Sequence, residues 1–283
     1  MLVKLEQVTK RFALRGKNGQ GNQTEVLQAV DMEIAEGEFV CIVGPSGCGK
    51  STLLYLIAGL EKPSSGRVLV DGVPVTGPGP DRIVVFQEAG LFPWLNVLQN
   101  VEFGLKISGL SPSARRDRAM EFLRMVHLSR FTEHFPHMLS GGMKQRVAIA
   151  RGLALNPKIL LMDEPFAALD AQTRRLLQEE LVEIWQQTRK TILFVTHNVR
   201  EATALGDKVL EMGVQPGHIK KGYAIHLPKP RREADPHLIV IQQRILLSLQ
   251  EEIAKVAKEE DLDYLIEREA SPLFDGPAVG GAI

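Results

Sequence analysis

Eight residues constrain this chain more than any others. Gly44-Pro45-Ser46-Gly47-Cys48-Gly49-Lys50-Ser51 follows the strand-like run Glu38–Val43 and precedes the apolar run Leu53–Leu60. A strand, a glycine-rich turn and a helix in that order form a P-loop. Glycines let consecutive backbone N–H groups wrap phosphate oxygens, and the N-terminal end of the following helix favours their charge. Lys50 is expected to reach the β- and γ-phosphates of a nucleotide, and Ser51 to ligate magnesium. Residues Gly44 to Ser51, with Thr52, are therefore the first candidate nucleotide contacts. A glycine-rich turn matching by accident would lack the flanking strand and helix.

The rest of the chain alternates short β-like runs with helical patterns, the mark of an α/β fold. Strands are expected at Val3–Val8, Glu38–Val43, Arg67–Val70, Ile83–Phe86, Ile159–Met162, Thr191–Val195 and Lys208–Met212. Three of these are almost wholly apolar, as strands covered on both faces should be. Helices are expected after Gly49, over Pro112–Val126, Lys144–Leu155 and Ala171–Arg189. Ser111-Pro112 supplies an N-cap and an N1 proline. Leu177, Leu181, Ile184 and Trp185 share one helix face. Residues 88–157 show no strand pattern and read as an inserted helical subdomain. Arg15 to Glu25, rich in Gly, Asn and Gln, reads as an exposed hairpin loop. Pro228 and Pro230 mark a boundary, so 1–228 is expected to be the catalytic domain and 229–283 a C-terminal extension. There Leu238, Ile241, Ile245, Leu249, Ile253 and Val256 form a helical stripe. That stripe is expected to dock across a two-fold axis onto a second copy, or else on its own domain. The acidic stretch Glu259–Glu269 should lie solvated, and the chain from Ser271 onward should fray.

Charge and cysteine usage narrow the setting. The 34 Lys plus Arg balance 34 Asp plus Glu, so no global field draws the chain to nucleic acid. Cys41 and Cys48 both fall in the phosphate-loop region, where a disulfide would compromise the loop. Reduced thiols and a cytosolic setting are expected. The start, Met1-Leu2-Val3-Lys4-Leu5-Glu6, does not resemble a signal peptide. The longest apolar runs fall far short of the ~18–20 residues that span a bilayer. Any membrane role must use a partner.

Two more motifs carry chemistry. Asp163-Glu164 ends the apolar run Ile159–Met162. Asp163 suits a direct or water-mediated magnesium role, and Glu164 suits polarisation of an attacking water. Alone, such a pair before Pro165 could merely cap the next turn. Leu139-Ser140-Gly141-Gly142-Met143 opens the Lys144–Leu155 helix, whose N-terminus would face a phosphate. Alone, it could be only a capping turn.

Together, these three motifs resemble the ABC-type ATPases over residues 2–225. That resemblance implies a P-loop ABC cassette: a RecA-like core with an antiparallel β subdomain and an inserted α-helical subdomain. It also implies ATP and Mg2+ as cofactors and a second ATPase subunit, with a homodimer expected. Ser140, Gly141 and Gly142 would contact the γ-phosphate of ATP held by the other subunit. Met143 stands where Gln is commoner and cannot make its polar contacts. Three further residues gain meaning only from the resemblance. Gln87 matches the Q-loop glutamine that senses magnesium and the attacking water. Asp170, in Ala168-Leu169-Asp170, matches the loop linking the two subunits. His197 matches the switch histidine at the γ-phosphate. Phe12 sits where the family places an aromatic against adenine; core packing is the other reading. The expected catalytic set is Glu164, His197, Gln87 and Lys50, and the expected metal set is Ser51, Gln87 and Asp163.

Val85-Phe86-Gln87-Glu88 followed by Leu91-Phe92-Pro93-Trp94 resembles the nitrate/sulfonate/taurine-type importer branch. The resemblance implies a peripheral subunit at the cytoplasmic face of a bacterial inner membrane. It would bind permease subunits and, through them, depend on a periplasmic or lipid-anchored solute-binding protein. Phe92, Pro93 and Trp94 would receive the permease. Soluble ABC ATPases acting on DNA or ribosomes carry coiled-coil insertions or two cassettes per chain, which this sequence lacks. An exporter half would normally have a fused membrane domain or a different sequence after Gln87.

Overall fold

The computed structural model describes residues 1–14, 22–232 and 234–270. Strands β1 (Val3–Leu14), β2 (Asn22–Ile34), β4 (Ser65–Val70) and β5 (Val73–Pro74) form an antiparallel sheet in the order β2-β1-β4-β5. Strands β3 (Phe39–Val43), β6 (Arg82–Val85), β7 (Ile159–Asp163), β8 (Thr191–Val195), β9 (Lys208–Gly213) and β10 (His218–Ala224) form the second, ordered β10-β9-β3-β8-β7-β6. All its neighbours pair in parallel except β10, which runs antiparallel along the edge.

Period-two alternation divides the core between the two faces of this sheet. Phe39, Cys41, Val43, Leu160, Met162 and Phe194 join the apolar cluster beneath the helices. Val40, Ile42, Leu161, Leu193 and Val195 join the cluster shared with the antiparallel sheet and helix α1 (Lys50–Ala58). Every residue of β3, β7 and β8 is buried. The strands are thus fixed along their length, and their C-terminal ends can hold side chains in register.

Residues 88–157 form an α-helical layer: α2 (Val97–Ile107), α3 (Pro112–Met125), a 3-10 turn (Pro136–Met138) and α4 (Gly141–Ala154). Asn96 and Gln99 close a capping box at the start of α2. The fully buried Asn100 accepts from Phe92 N–H at 2.9 Å and donates to the Phe92, Leu95 and Asn96 carbonyls. That one amide shapes the loop carrying Trp94. Helices α5 (Ala171–Thr188) and α6 (Val199–Leu205) return the chain to the sheet, and α7 (Pro236–Ala270) closes it. No helix among the described residues is long and apolar enough to cross a membrane.

Three expectations need correction. Asn22–Glu25 belong to β2 rather than to a loop, and β1 runs on to Leu14; Arg15–Gly21 lie outside the described residues. Register shifts flank Val8, and Gln7 and Ala29 take positive φ. Each such bulge moves later side chains off the strict alternation that marks a strand. The exposed edge strand β10, with Lys220, Lys221 and Gly222, has a charged pattern that hides it. Finally, the C-terminal stripe docks on its own domain rather than across a two-fold axis as far as Leu249, while Ile253 stays exposed. Leu238, Ile245 and Leu249 are buried in the same cluster as Phe39 and Ala202. Gln242 donates to Thr203 Oγ1 at 3.0 Å. Arg231 holds the α6 end by donating to the Thr203 and Gly206 carbonyls at 2.7 and 2.6 Å. The side chain of Val256, those of Glu259–Glu269 and all of Ser271 onward lie outside what the structure describes.

Candidate functional site

The C-terminal ends of β3, β7 and β8 meet at one place. Beyond β3, Gly47 (φ 79°) and Gly49 (φ 94°) take left-handed backbone, which a side chain would resist. Lys50, buried at the first turn of α1, folds back and donates to the Gly44 and Pro45 carbonyls at 3.0 and 2.8 Å. Its ammonium therefore sits inside the loop, where phosphate oxygens could replace the two carbonyls. The Cys48 sulfur lies 3.9 Å away. Burial raises the Cys48 thiol pKa, with Lys50 pulling the other way.

Ser51 Oγ donates to Asp163 Oδ1 at 2.8 Å, and Tyr55 OH donates to Asp163 Oδ2 at 2.9 Å. The two hard oxygen donors expected to share magnesium thus lie side by side, a donor set that fits that ion. Tyr55 escapes any motif; its position one helical turn after Ser51 is the only signal it leaves. Burial and the Asp163 bond push its hydroxyl pKa up to about 12, so it remains a donor at neutral pH.

Glu164 leaves β7 with φ 44°, uncommon for a residue with a side chain, at a cost of about 1 kcal/mol. Its N–H is held by the Val195 carbonyl at 3.0 Å. That turn brings Glu164 Oε2 within 2.8 Å of His197 Nδ1. Around His197 the loop is braced. Asn198 caps α6 by accepting from the Arg200 and Glu201 N–H groups. Buried Glu201 accepts from Thr196 Oγ1 and from Gln178 Nε2. Desolvation raises the Glu201 carboxyl pKa. Glu201 and Gln178 carry no motif, and sequence reasoning misses both.

A second group gathers elsewhere. Ser140 caps α4 by accepting from Met143 N–H at 3.3 Å, and Asp170 caps α5 by accepting from Thr173 N–H at 3.0 Å. These caps lie together: a Cβ on Gly142 would stand 2.7 Å from Thr173 Cγ2, and one on Gly141 3.2 Å from Leu169 Cδ2. Ser140, Gly141 and Asp170 are exposed. Gln87 is exposed as well, in a cleft shared with Gly141, Lys144, Gln145 and Leu169. Buried Gln145 fixes its base by donating to the Phe86 carbonyl at 3.2 Å, and Arg151 donates to the Ala89 and Gly90 carbonyls at 2.9 and 2.8 Å. Among the described residues, Gln87 makes no hydrogen bond to Ser51 or Asp163. Phe12 is exposed under the Lys10 ammonium, 4.6 Å above its ring, so its ring does not serve as core packing. Trp94 is 69% exposed beside Phe92, so it does not serve the core either.

Comparison with known proteins places this arrangement. Residues 27–167 match the family described as ABC transporter. An uncharacterised ABC transporter ATP-binding protein of Methanocaldococcus jannaschii, MJ0412, is 48% identical over 256 residues, covering 90% of this chain and 94% of that one. The nitrate import ATP-binding protein NrtD of Synechocystis is 54% identical over 210 residues, covering 74% and 79%. The taurine import ATP-binding protein TauB of Yersinia pestis is 48% identical over 210 residues, covering 74% and 82%. The solved dimeric cassette MJ0796, bound to ADP and Pi, superposes with a TM-score of 0.70 at 37% identity, covering 80% of this chain and all of that one. The chain belongs to the ATP-binding subunits of ABC transporters. It is an ABC-type ATPase built as a nucleotide-binding cassette, with the fold expected from its sequence.

Proposed function

We propose that this chain is the motor subunit of an importer for a small anion, with nitrate, sulfonates, taurine and bicarbonate as the candidate solutes. The observation that carries the reading is the separation of the site into two halves. Lys50, Ser51, Asp163, Glu164 and His197 converge beyond the C-terminal ends of β3, β7 and β8, while Ser140, Gly141 and Asp170 form a distinct exposed group. Two copies facing each other would bring the exposed group of one onto the nucleotide of the other.

In this reading Lys50 and the P-loop amides bind the β- and γ-phosphates, and Phe12 stacks on adenine. Ser51 and Asp163, with Gln87 from its cleft, would hold Mg2+, which supplies charge neutralisation at the phosphates. Glu164 accepts the proton of the attacking water, and His197 orients Glu164 through their 2.8 Å contact. Closure then pushes on permease subunits at the cytoplasmic face of the membrane, through the exposed surface around Trp94. Residues 1–228 would form the motor and 229–283 an extension with its own role. NrtD and TauB, named for different solutes, are both about half identical to this chain. Similarity in the motor does not choose the solute. The test is to isolate the chain with its membrane partners and measure ATP hydrolysis as each candidate solute is presented by its binding protein. Stimulation by one anion supports the reading, and indifference to all of them in an assembled complex contradicts it.

A further inference from the structure

Helix α7 has two apolar faces, and its own domain covers one. Leu238, Ile245 and Leu249 are buried against the cassette. On the other side Ile239, Val240, Leu246, Leu247 and Ile253 are between 38% and 63% exposed. Ile239, Leu246 and Ile253 recur every seven residues, as do Val240, Leu247 and Ala254. With Gln243 and Gln250 between them, these residues line about 22 Å of one helix face at the seven-residue spacing that a second helix can follow. We propose that this face pairs antiparallel with the same face of a second copy, independently of nucleotide.

Charge sets the direction. About a two-fold axis at Leu246–Leu247, Ile239 and Val240 of one copy meet Ala254 and Ile253 of the other, and Gln243 meets Gln250. Arg244, exposed on the flank, then comes within a turn of the exposed Glu251 of the other copy. A parallel pair would instead turn Arg244 towards the opposite flank of its partner, where Leu238, Gln242 and Leu249 are already buried against the cassette. Gln243 and Gln250 can bond across a helix pair. Between Ile239 and Ala254 the helix carries no lysine, so this stretch lacks the lysine-rich border of a helix lying on a membrane.

Position adds a third argument. Glu252, buried beneath this face, accepts from Val214 N–H at 3.3 Å and pairs with Lys220 at 2.9 Å. Both lie on the β9–β10 turn and hairpin. The same turn presses on the P-loop, where a Cβ on Gly217 would stand 2.0 Å from the Cys48 carbonyl. The middle of α7, at Glu252, therefore packs on the hairpin that borders the P-loop, the side that faces the second copy in the arrangement proposed above. The inference rests on that two-copy reading, but its test omits ATP, so the two can fail separately.

The full chain supplies the test, because Cys41 and Cys48 are both buried and leave an introduced thiol as the reactive one. Under mild oxidation without nucleotide, Leu247→Cys should crosslink to itself. Ile239→Cys should not, since antiparallel pairing sets it about 22 Å from its own copy. Leu247→Glu, at a position 63% exposed and so tolerant of charge, should keep ATP binding while weakening nucleotide-free self-association roughly tenfold or more in sedimentation. Equal crosslinking by both cysteines would overturn the antiparallel pair. So would a Leu247→Glu chain that sediments as the wild type does. A wild-type chain that stays monomeric yet pellets with anionic phospholipid vesicles would assign the face to a membrane and overturn the proposal outright.

Discussion

The P-loop edge and the signature face use the same device, a strand or turn feeding a capped helix, yet they end in opposite conditions. At the P-loop edge the side chains are engaged: Lys50 by the carbonyls of its own loop, Ser51 and Tyr55 by Asp163, Glu164 by His197. At the signature face Ser140 and Asp170 bond only the first turns of their own helices. The first region is held by three fully buried strands. The second rides on a helical layer that packs on the sheet through the shared apolar core, with Gln145 and Arg151 tying it to the loop around Gln87 and the Gly142–Thr173 contact joining it to α5. A site that needs both regions is rigid on one side and carried on a separate layer on the other. The difference accounts for why one chain holds the parts of a site without closing it.

The largest expected effect comes from the rigid half. Glu164→Gln keeps the size and the His197 contact but cannot take a proton, so turnover should fall about 10²- to 10⁴-fold with ATP binding retained. Near-normal turnover would remove Glu164 from the chemistry. The second half can be attacked without touching the first. Gly142→Val drives branched carbons into Thr173 and should cost about 1–3 kcal/mol of stability. It should also abolish ATP-dependent dimerisation while single-copy ATP binding survives. If binding and dimerisation fell together, the two regions would not be independent.

Trp94 belongs to neither half, so Trp94→Ala should leave the isolated subunit's ATPase within about twofold and reduce assembly with the permease. Unfolding of the isolated variant would return Trp94 to the core. The smallest effect is at Tyr55. Its folded pKa, about 12, exceeds the unfolded 10.0, so its contribution to stability is complete below pH 10 and is lost as pH rises towards 12. Tyr55→Phe should therefore narrow its stability gap from the wild type across that window, followed by chemical denaturation at each pH. A constant gap would separate Tyr55 from Asp163.

Much of this was legible in the sequence, for physical reasons. Phe39–Val43, Ile159–Asp163 and Thr191–Val195 are covered on both faces, so composition alone reveals them. Residues after their ends inherit fixed positions, which is why Lys50, Ser51, Asp163, Glu164 and His197 could be proposed as neighbours. β2 and the far half of β1 were hidden by bulges at Gln7 and Ala29. Tyr55, Gln145, Gln178 and Glu201 were hidden because a polar side chain's partner is set by packing between distant segments. The stripe of α7 was visible but its partner was not: spacing names a face, and only the fold shows that the cassette itself covers Leu238, Ile245 and Leu249. The exposed heptad beside it was masked by that stronger stripe.

The central claim is that each active site is shared between two copies, and mixing two defective chains tests it most directly. Lys50→Ala disables the P-loop half, and Gly141→Asp places a repelling charge at the exposed helix N-terminus of the signature half. Each alone should be inactive. In an equimolar mixture, the P-loop of the Gly141→Asp chain meets the signature loop of the Lys50→Ala chain, forming one intact site in each mixed pair. Random pairing then predicts recovery of roughly a quarter of wild-type ATP hydrolysis. No recovery in a mixture proven to form mixed pairs would contradict a shared site.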